Sequence, residues 1–161
     1  MRRAARLRAD AAGNDKCKMN AEKRPMLIEW SDELVLGIEK MDTTHREFVD
    51  HLNALGEAGD DALLAGLDAF LAHTVAHFEQ ENSWMESTEF PAIHCHKEEH
   101  EGVLSIALEV RGMVAEGKFE LGRVLVRELV PWFTHHAATM DAMLAMFIKA
   151  QGFDTQAVTA D

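Results

Sequence analysis

The chain has 161 residues, and its 28 acidic and 16 basic side chains give a net charge of −12, which argues against broad nucleic-acid binding. Its two cysteines are too few for a disulfide framework, and no apolar run approaches the roughly 18 residues of a membrane-spanning helix. We therefore expect a cytoplasmic protein with one well-packed domain and no membrane span. Nine histidines with no tyrosine are the compositional oddity.

The first 25 residues differ from the rest of the chain. They carry eight basic and three acidic side chains, a local charge of +5, and show no apolar periodicity. Such a composition predicts a disordered basic extension over residues 1–25, with an Arg-rich address or an arm for anionic surfaces as the alternative. Residues 26–153 are expected to form the domain, and residues 154–161 a C-terminal tail.

After a lead-in between Trp30 and Lys40, apolar residues recur every three or four positions, as on one face of a helix. Capping residues, glycines and a proline divide this pattern into four helices. The first runs from about Asp42 to Ala58, the second follows Gly59 and ends before Phe90, the third closes at Gly117, and the fourth runs from near Phe119 to about Gly152. Short connections between long amphipathic helices predict an all-α, up-down antiparallel four-helix bundle with an N-terminal lead-in segment. Pro131 should kink or interrupt the last helix.

Several polar residues occupy positions that the period assigns to the core. A single core histidine usually finds a hydrogen-bond partner, but an ionised glutamate is almost never buried without a partner or a metal. The residues concerned are His45, His77, Glu81, His96, His100 and His136. His77 and Glu81, like His96 and His100, are four residues apart, so each pair can direct two ligands at one point. Together they predict a metal site.

The types of ligand restrict the metal. Structural zinc usually binds thiolates, and calcium or magnesium prefers oxygen, whereas imidazole suits iron, copper, nickel or zinc. Five histidines and a carboxylate exceed the needs of one ion, so we expect two ions with a bridging carboxylate, and iron as the metal. Asp141 is not nominated by its spacing, because five residues in a regular helix rotate a side chain by ~140° away from His136. His73, four residues before His77, is expected to support the site, and His51 to lie at the surface.

These residues resemble the hemerythrin family, in particular the single-domain bacteriohemerythrins. The resemblance covers about residues 27–153, and its motifs include Trp30, the segment Gly37–Asp42 before His45, Phe90-Pro91, and Trp132 four residues before His136. It adds Asp141 to the site, so that seven metal ligands are implied: His45, His77, Glu81, His96, His100, His136 and Asp141.

The resemblance implies a di-iron centre. His96, His100 and His136 would bind one iron, and His45 and His77 the other. Glu81, Asp141 and a solvent-derived oxo or hydroxo group would bridge both. The second iron would then keep one open position, where dioxygen binds reversibly for transport, storage or delivery. Apolar walls would protect that position, with Phe48, Trp132, Phe133 and Ala137 as candidates.

The function implied is that of an oxygen-binding protein rather than an enzyme, with weak oxidase or peroxidase-type activity left open. One alternative is a sensor of oxygen, redox state or iron on the same scaffold. Another is a di-iron oxidase, or an enzyme that handles peroxide or nitric oxide, although the Glu-x-x-His pairs of ferritin-like oxidases do not occur here. Dioxygen is the expected partner, with an oxygen-consuming enzyme as a further candidate; a monomer fits the sequence.

Overall fold

The computed structural model describes residues 26–156, so the predictions for residues 1–25 and 157–161 lie outside the described residues. Within that range the chain is helical and contains no strand. Its helices are α1 (Glu39–Glu57), α2 (Asp60–Ser87), α3 (Ile93–Ala115), α4 (Phe119–His136) and α5 (Ala142–Gln151). A π-helical segment, Ala137–Asp141, joins α4 to α5 without a break, so the two form one fourth helix. The predicted four-helix bundle is confirmed.

Short connections hold neighbouring helices together. The α2–α3 and α3–α4 connections each close with a pair of backbone hydrogen bonds to the end of the preceding helix, the pattern of a Schellman motif. After α3 this motif places Gly117 at φ +89°, which a glycine adopts without strain. After α2 the equivalent residue is Glu89, at φ +52°, and the next residue, Phe90, is buried. Burial of the Phe90 ring offsets the strain at Glu89 and fixes the entry into α3.

The first helix begins earlier than the sequence predicted. Asp42 lies inside α1 and is buried, where its carboxylate accepts hydrogen bonds from the backbone N–H groups of Leu36 (2.7 Å) and Gly37 (2.9 Å). Asp42 therefore fastens the lead-in segment to the helix instead of capping the helix end. The lead-in itself contains a single 3-10 turn, Asp32–Leu34, which is packed through Leu34.

Pro131 does not end a helix, so the predicted interruption at this position is wrong, whereas the kink stays a prediction. α4 continues through Pro131 to His136, and the irregular segment begins six residues after the proline. Pro131 is exposed, so its ring lies on the solvent side of the bundle.

The core consists of two apolar clusters with a polar layer between them. One cluster contains Phe48, Phe70, Leu129 and Phe133, among others, and occupies the half of the bundle near the α1–α2 connection. The other is built around Met41, Trp84, Leu144 and Ile148. On every helix the buried histidines and carboxylates lie between residues of the two clusters, as His45 does between Met41 and Phe48. The bundle therefore encloses its polar groups on both sides with hydrocarbon.

Candidate metal centre

The polar layer contains all seven residues that the sequence and the resemblance nominated. They come from all four helices, and each is at least nine-tenths buried: His45, His77, Glu81, His96, His100, His136 and Asp141. Their ligand atoms form two groups. One group holds His96, His100, His136, Asp141 and Glu81, and the other holds His45, His77 and Glu81. Glu81 belongs to both.

The two oxygens of Glu81 face different histidines. Its Oε1 lies 3.0 Å from His77 Nε2 and 3.5 Å from His45 Nε2. Its Oε2 lies 3.4 Å from the Nε2 atoms of both His96 and His100. The helical spacing explains half of this arrangement, because His77 and Glu81 are one turn apart on α2. A carboxylate in this position can bind two metal ions, one with each oxygen.

The two oxygens of Asp141 also face different histidines. Its Oδ2 is 3.3 Å from His45 Nε2, and its Oδ1 is 3.1 Å from the Nε2 atoms of His96 and His136. The π-helical segment makes this possible: the backbone N–H of Ala142 donates to the carbonyl of Ala137, five residues earlier. In such a turn, residues five apart lie nearly above one another, so Asp141 returns to the face that carries His136. The regular-helix spacing could not have predicted this.

The spacing of the nitrogens fits a shared ion. His136 Nε2 is 3.1 Å from His100 Nε2 and 3.1 Å from His96 Nε2. Ligand atoms on one metal lie about 3 Å apart when each bond is ~2.1 Å and adjacent bonds are perpendicular. Moreover, His45 Nε2, Glu81 Oε2 and both oxygens of Asp141 are buried without a hydrogen-bond partner within the described residues. Buried polar atoms are rarely left so, and a metal ion would satisfy them.

The charges also call for a cation. Burial alone would lower the pKa of His45, but the adjacent Asp141 and Glu81 carboxylates favour its protonated form and raise the pKa to about 10. The same balance raises the pKa of His96 to about 9. The pKa values of Glu81 and Asp141 are lowered in spite of burial, because the surrounding imidazoles favour the ionised carboxylates. The two buried carboxylates are thus stabilised either by protonated imidazoles or by metal ions that bind in place of those protons.

Aromatic rings hold several of the histidines. Phe133 packs edge-on against His45, with 5.3 Å between ring centroids, and stacks on Phe48 at 4.6 Å. Trp132 stacks on His136 at 4.8 Å and is only half-buried. Of the predicted wall residues, Phe48 and Phe133 therefore lie beside the two-histidine group, whereas Trp132 lies beside the three-histidine group. Ala137 is buried in the same apolar cluster as Phe48.

One aromatic contact was missed from the sequence. The Phe78 ring stacks face to face on the His100 imidazole, at 3.7 Å between centroids with parallel planes. The available signal was its position directly after His77 in the apolar stripe of α2. The Nδ1 atom of His100 has no hydrogen-bond partner within residues 26–156 that could orient the ring. The stack on Phe78 orients it instead.

The remaining histidines behave differently from one another. His94 and His135 are exposed. His51, expected at the surface, is half-buried against His73, with 5.0 Å between their ring centroids. Burial, followed by the nearby His77 and His51, lowers the pKa of His73 to about 4, so its ring is neutral at pH 7. Neither His51 nor His73 belongs to the two ligand groups.

No described helix is both long enough and apolar enough to cross a membrane.

A family model for the hemerythrin HHE cation binding domain matches residues 36–148. The chain is 43% identical to a bacteriohemerythrin of Ralstonia nicotianae over 130 residues, which are 81% of this chain and 95% of that protein. It is 32% identical to a bacteriohemerythrin of Aquifex aeolicus over 74% of this chain and 96% of that protein. It is 29% identical to one of Stenotrophomonas maltophilia, over 77% and 83% respectively. The chain therefore belongs to the hemerythrin family.

Proposed function

We propose that the seven buried side chains hold two iron ions and that the protein binds dioxygen reversibly there. The division of Glu81 between the two histidine groups carries this proposal. A carboxylate that served one ion would not need to present its two oxygens to different sets of imidazoles. Imidazole and carboxylate ligands suit iron, and the family model describes a cation-binding domain.

The two ligand groups are unequal, and this difference gives each ion its role. His96, His100 and His136 would hold one ion, whereas only His45 and His77 would hold the other. Glu81 and Asp141 would bridge both, together with a solvent-derived oxo or hydroxo group. With fewer protein ligands, an ion held by His45 and His77 would have room for an external molecule, as metals that take up a substrate do. When bound, the iron pair supplies the open position and the electrons that dioxygen binding requires.

The protein's own contribution is to position the ligands and to exclude water. Phe48 and Phe133 are buried beside His45 and present hydrocarbon towards the two-histidine group. Such surroundings keep water and protons from a bound molecule, which favours release of dioxygen unchanged over its reduction. This supports a carrier, store or delivery protein over an oxidase.

The decisive experiment is optical. The iron-free protein is loaded with ferrous iron under argon, the iron per chain is counted, and oxygen is admitted and then flushed out. Two irons per chain, with a visible charge-transfer band that appears with oxygen and bleaches on flushing, are expected. A single iron per chain would contradict the shared role of Glu81. Rapid, irreversible oxidation would instead indicate an oxidase or a redox sensor on the same scaffold.

A further inference from the structure

A second group of potential metal ligands lies between α1 and α2, outside the candidate centre. His73 Nδ1 on α2 is 3.7 Å from Glu47 Oε2 on α1. The His73 ring is also 5.0 Å from the ring of His51 and 6.1 Å from the ring of His77, between centroids. Carboxylate and imidazole groups thus follow one another from the surface of the bundle to a proposed iron ligand.

Burial increases along this series. The Glu47 side chain is 59% exposed, that of His73 is 13% exposed and that of His77 is 4% exposed. His51, beside His73, is half-buried. A side chain at each depth is therefore available between solvent and the centre.

The Nε2 atom of His73 is buried and has no hydrogen-bond partner within the described part of the chain. A buried nitrogen without a partner is energetically unfavourable, so a residue that only filled space would be disfavoured at this position. An imidazole nitrogen is also the commonest protein ligand for a metal ion.

We infer that Glu47, His51 and His73, here called the entry site, take up ferrous iron at the surface and pass it to His77. The inference rests on the proposed function of the centre, because it requires that His77 bind iron. A hydrated dication cannot enter an apolar bundle without losing water, and an unpaired ion in such surroundings is very costly. Ligands at successive depths replace that water a few molecules at a time.

The geometry of the entry site suits transfer better than storage. Its ligand atoms are not drawn together as those of the centre are. Glu47 is exposed and its side chain reorients on the picosecond-to-nanosecond timescale, so it can meet an ion without fixing it. A transfer site must bind more weakly than its destination, since the metal would otherwise remain there.

The test measures iron uptake, not oxygen binding. Iron-free protein is mixed with ferrous iron under argon, the reaction is stopped at set times with a ferrous chelator, and protein-bound iron is counted. The single variant Glu47→Gln should take up iron about tenfold more slowly, because a local charge changes association rates by that order. The double variant His51→Gln/His73→Gln should be slowed to a similar extent, because it removes the two neutral imidazole ligands through which the ion would pass. Their final iron content should equal that of the unmodified protein.

Matched controls are Asp50→Asn, exposed on the same helix as Glu47, and His94→Gln, an exposed histidine on α3. Both should load at the unmodified rate. Equal slowing in Asp50→Asn, unchanged rates in the entry-site variants, or a lower final iron content at an unchanged rate would each overturn the inference. Should the double variant not fold, His51→Gln and Glu47→Gln alter only the outer residues and decide the question. If the unmodified protein binds no iron, the proposed function fails instead.

Discussion

His136 and Asp141 are five residues apart, yet His136 Nε2 lies 3.1 Å from Asp141 Oδ1. A regular α-helix would separate their directions by ~140°, and the π-helical segment between them removes that separation. At this five-residue spacing, the carboxylate that completes the polar layer therefore depends on the π-helical turn, which accommodates one extra residue in the fourth helix.

Removal of one residue from this segment tests that relationship. Deletion of Thr139, which is exposed, leaves four residues from His136 to the aspartate, a spacing that a regular helix rotates by only ~40°. We expect the helix to become regular, the aspartate to stay on the His136 face, and iron content to be retained. Iron per chain and helicity by circular dichroism measure this. Loss of iron in a folded deletion variant would show that the π geometry itself is required.

Glu81→Ala and Asp141→Ala test the shared carboxylates. Each change removes ligand atoms from both histidine groups, so affinity should fall by at least the roughly 10–100-fold that the loss of an outer partner costs, and the two ions should no longer bind together. Iron titration of the purified variants measures both effects. Glu79→Ala, an exposed position two residues before Glu81, is the matched control and should bind iron normally. Two irons per chain in both variants, with normal oxygen binding, would refute the assignment.

Stability of the iron-free protein should depend on pH. His45 and His96 have pKa values raised from 6.5 to about 10 and about 9, so their protonated forms stabilise the fold fully below pH 6.5 and lose this effect as pH rises through those values. The lowered pKa values of Glu81 and Asp141 act oppositely: their contribution is present above the ordinary carboxyl range and is lost in acid.

The free energy of unfolding of the iron-free protein should therefore fall between pH 6.5 and about 10. Iron takes the place of the protons, so the iron-loaded protein should lose less stability over this range, and its iron affinity should rise with pH. Urea unfolding of both forms at several pH values measures the effect. An identical pH dependence with and without iron would contradict it.

Phe133→Ala tests the apolar wall. Phe133 is 1% exposed and contacts both Phe48 and His45, so its truncation should lower the free energy of unfolding by about 3–5 kcal/mol. Ile106→Ala, at a residue that is 57% exposed, should change it by no more than about 0.5 kcal/mol. Urea unfolding measures both. A loss below about 1 kcal/mol for Phe133→Ala would mean that the ring is not packed as described.

The sequence by itself determined the four helices and the positions of six of the seven polar residues. Helical periodicity placed His45, Glu81 and His136 in the core, because a buried face repeats every three or four residues whatever the surrounding fold. The first helix was less predictable. Asp42 is a residue type that often caps helices, but its carboxylate accepts hydrogen bonds from the N–H groups of Leu36 and Gly37. Only the folded lead-in segment supplies this contact.

The tertiary structure decided the rest of the centre. Asp141 joins it through a change of helical period that no spacing rule contains, and residue-by-residue resemblance was the only signal for it. The division of Glu81 between two histidine groups depends on where two other helices, α1 and α3, place their imidazoles. The contact of His73 with Glu47 and His51 likewise exists only because α1 and α2 pack side by side. Periodicity is a property of one helix, whereas these relationships are set by the packing of several.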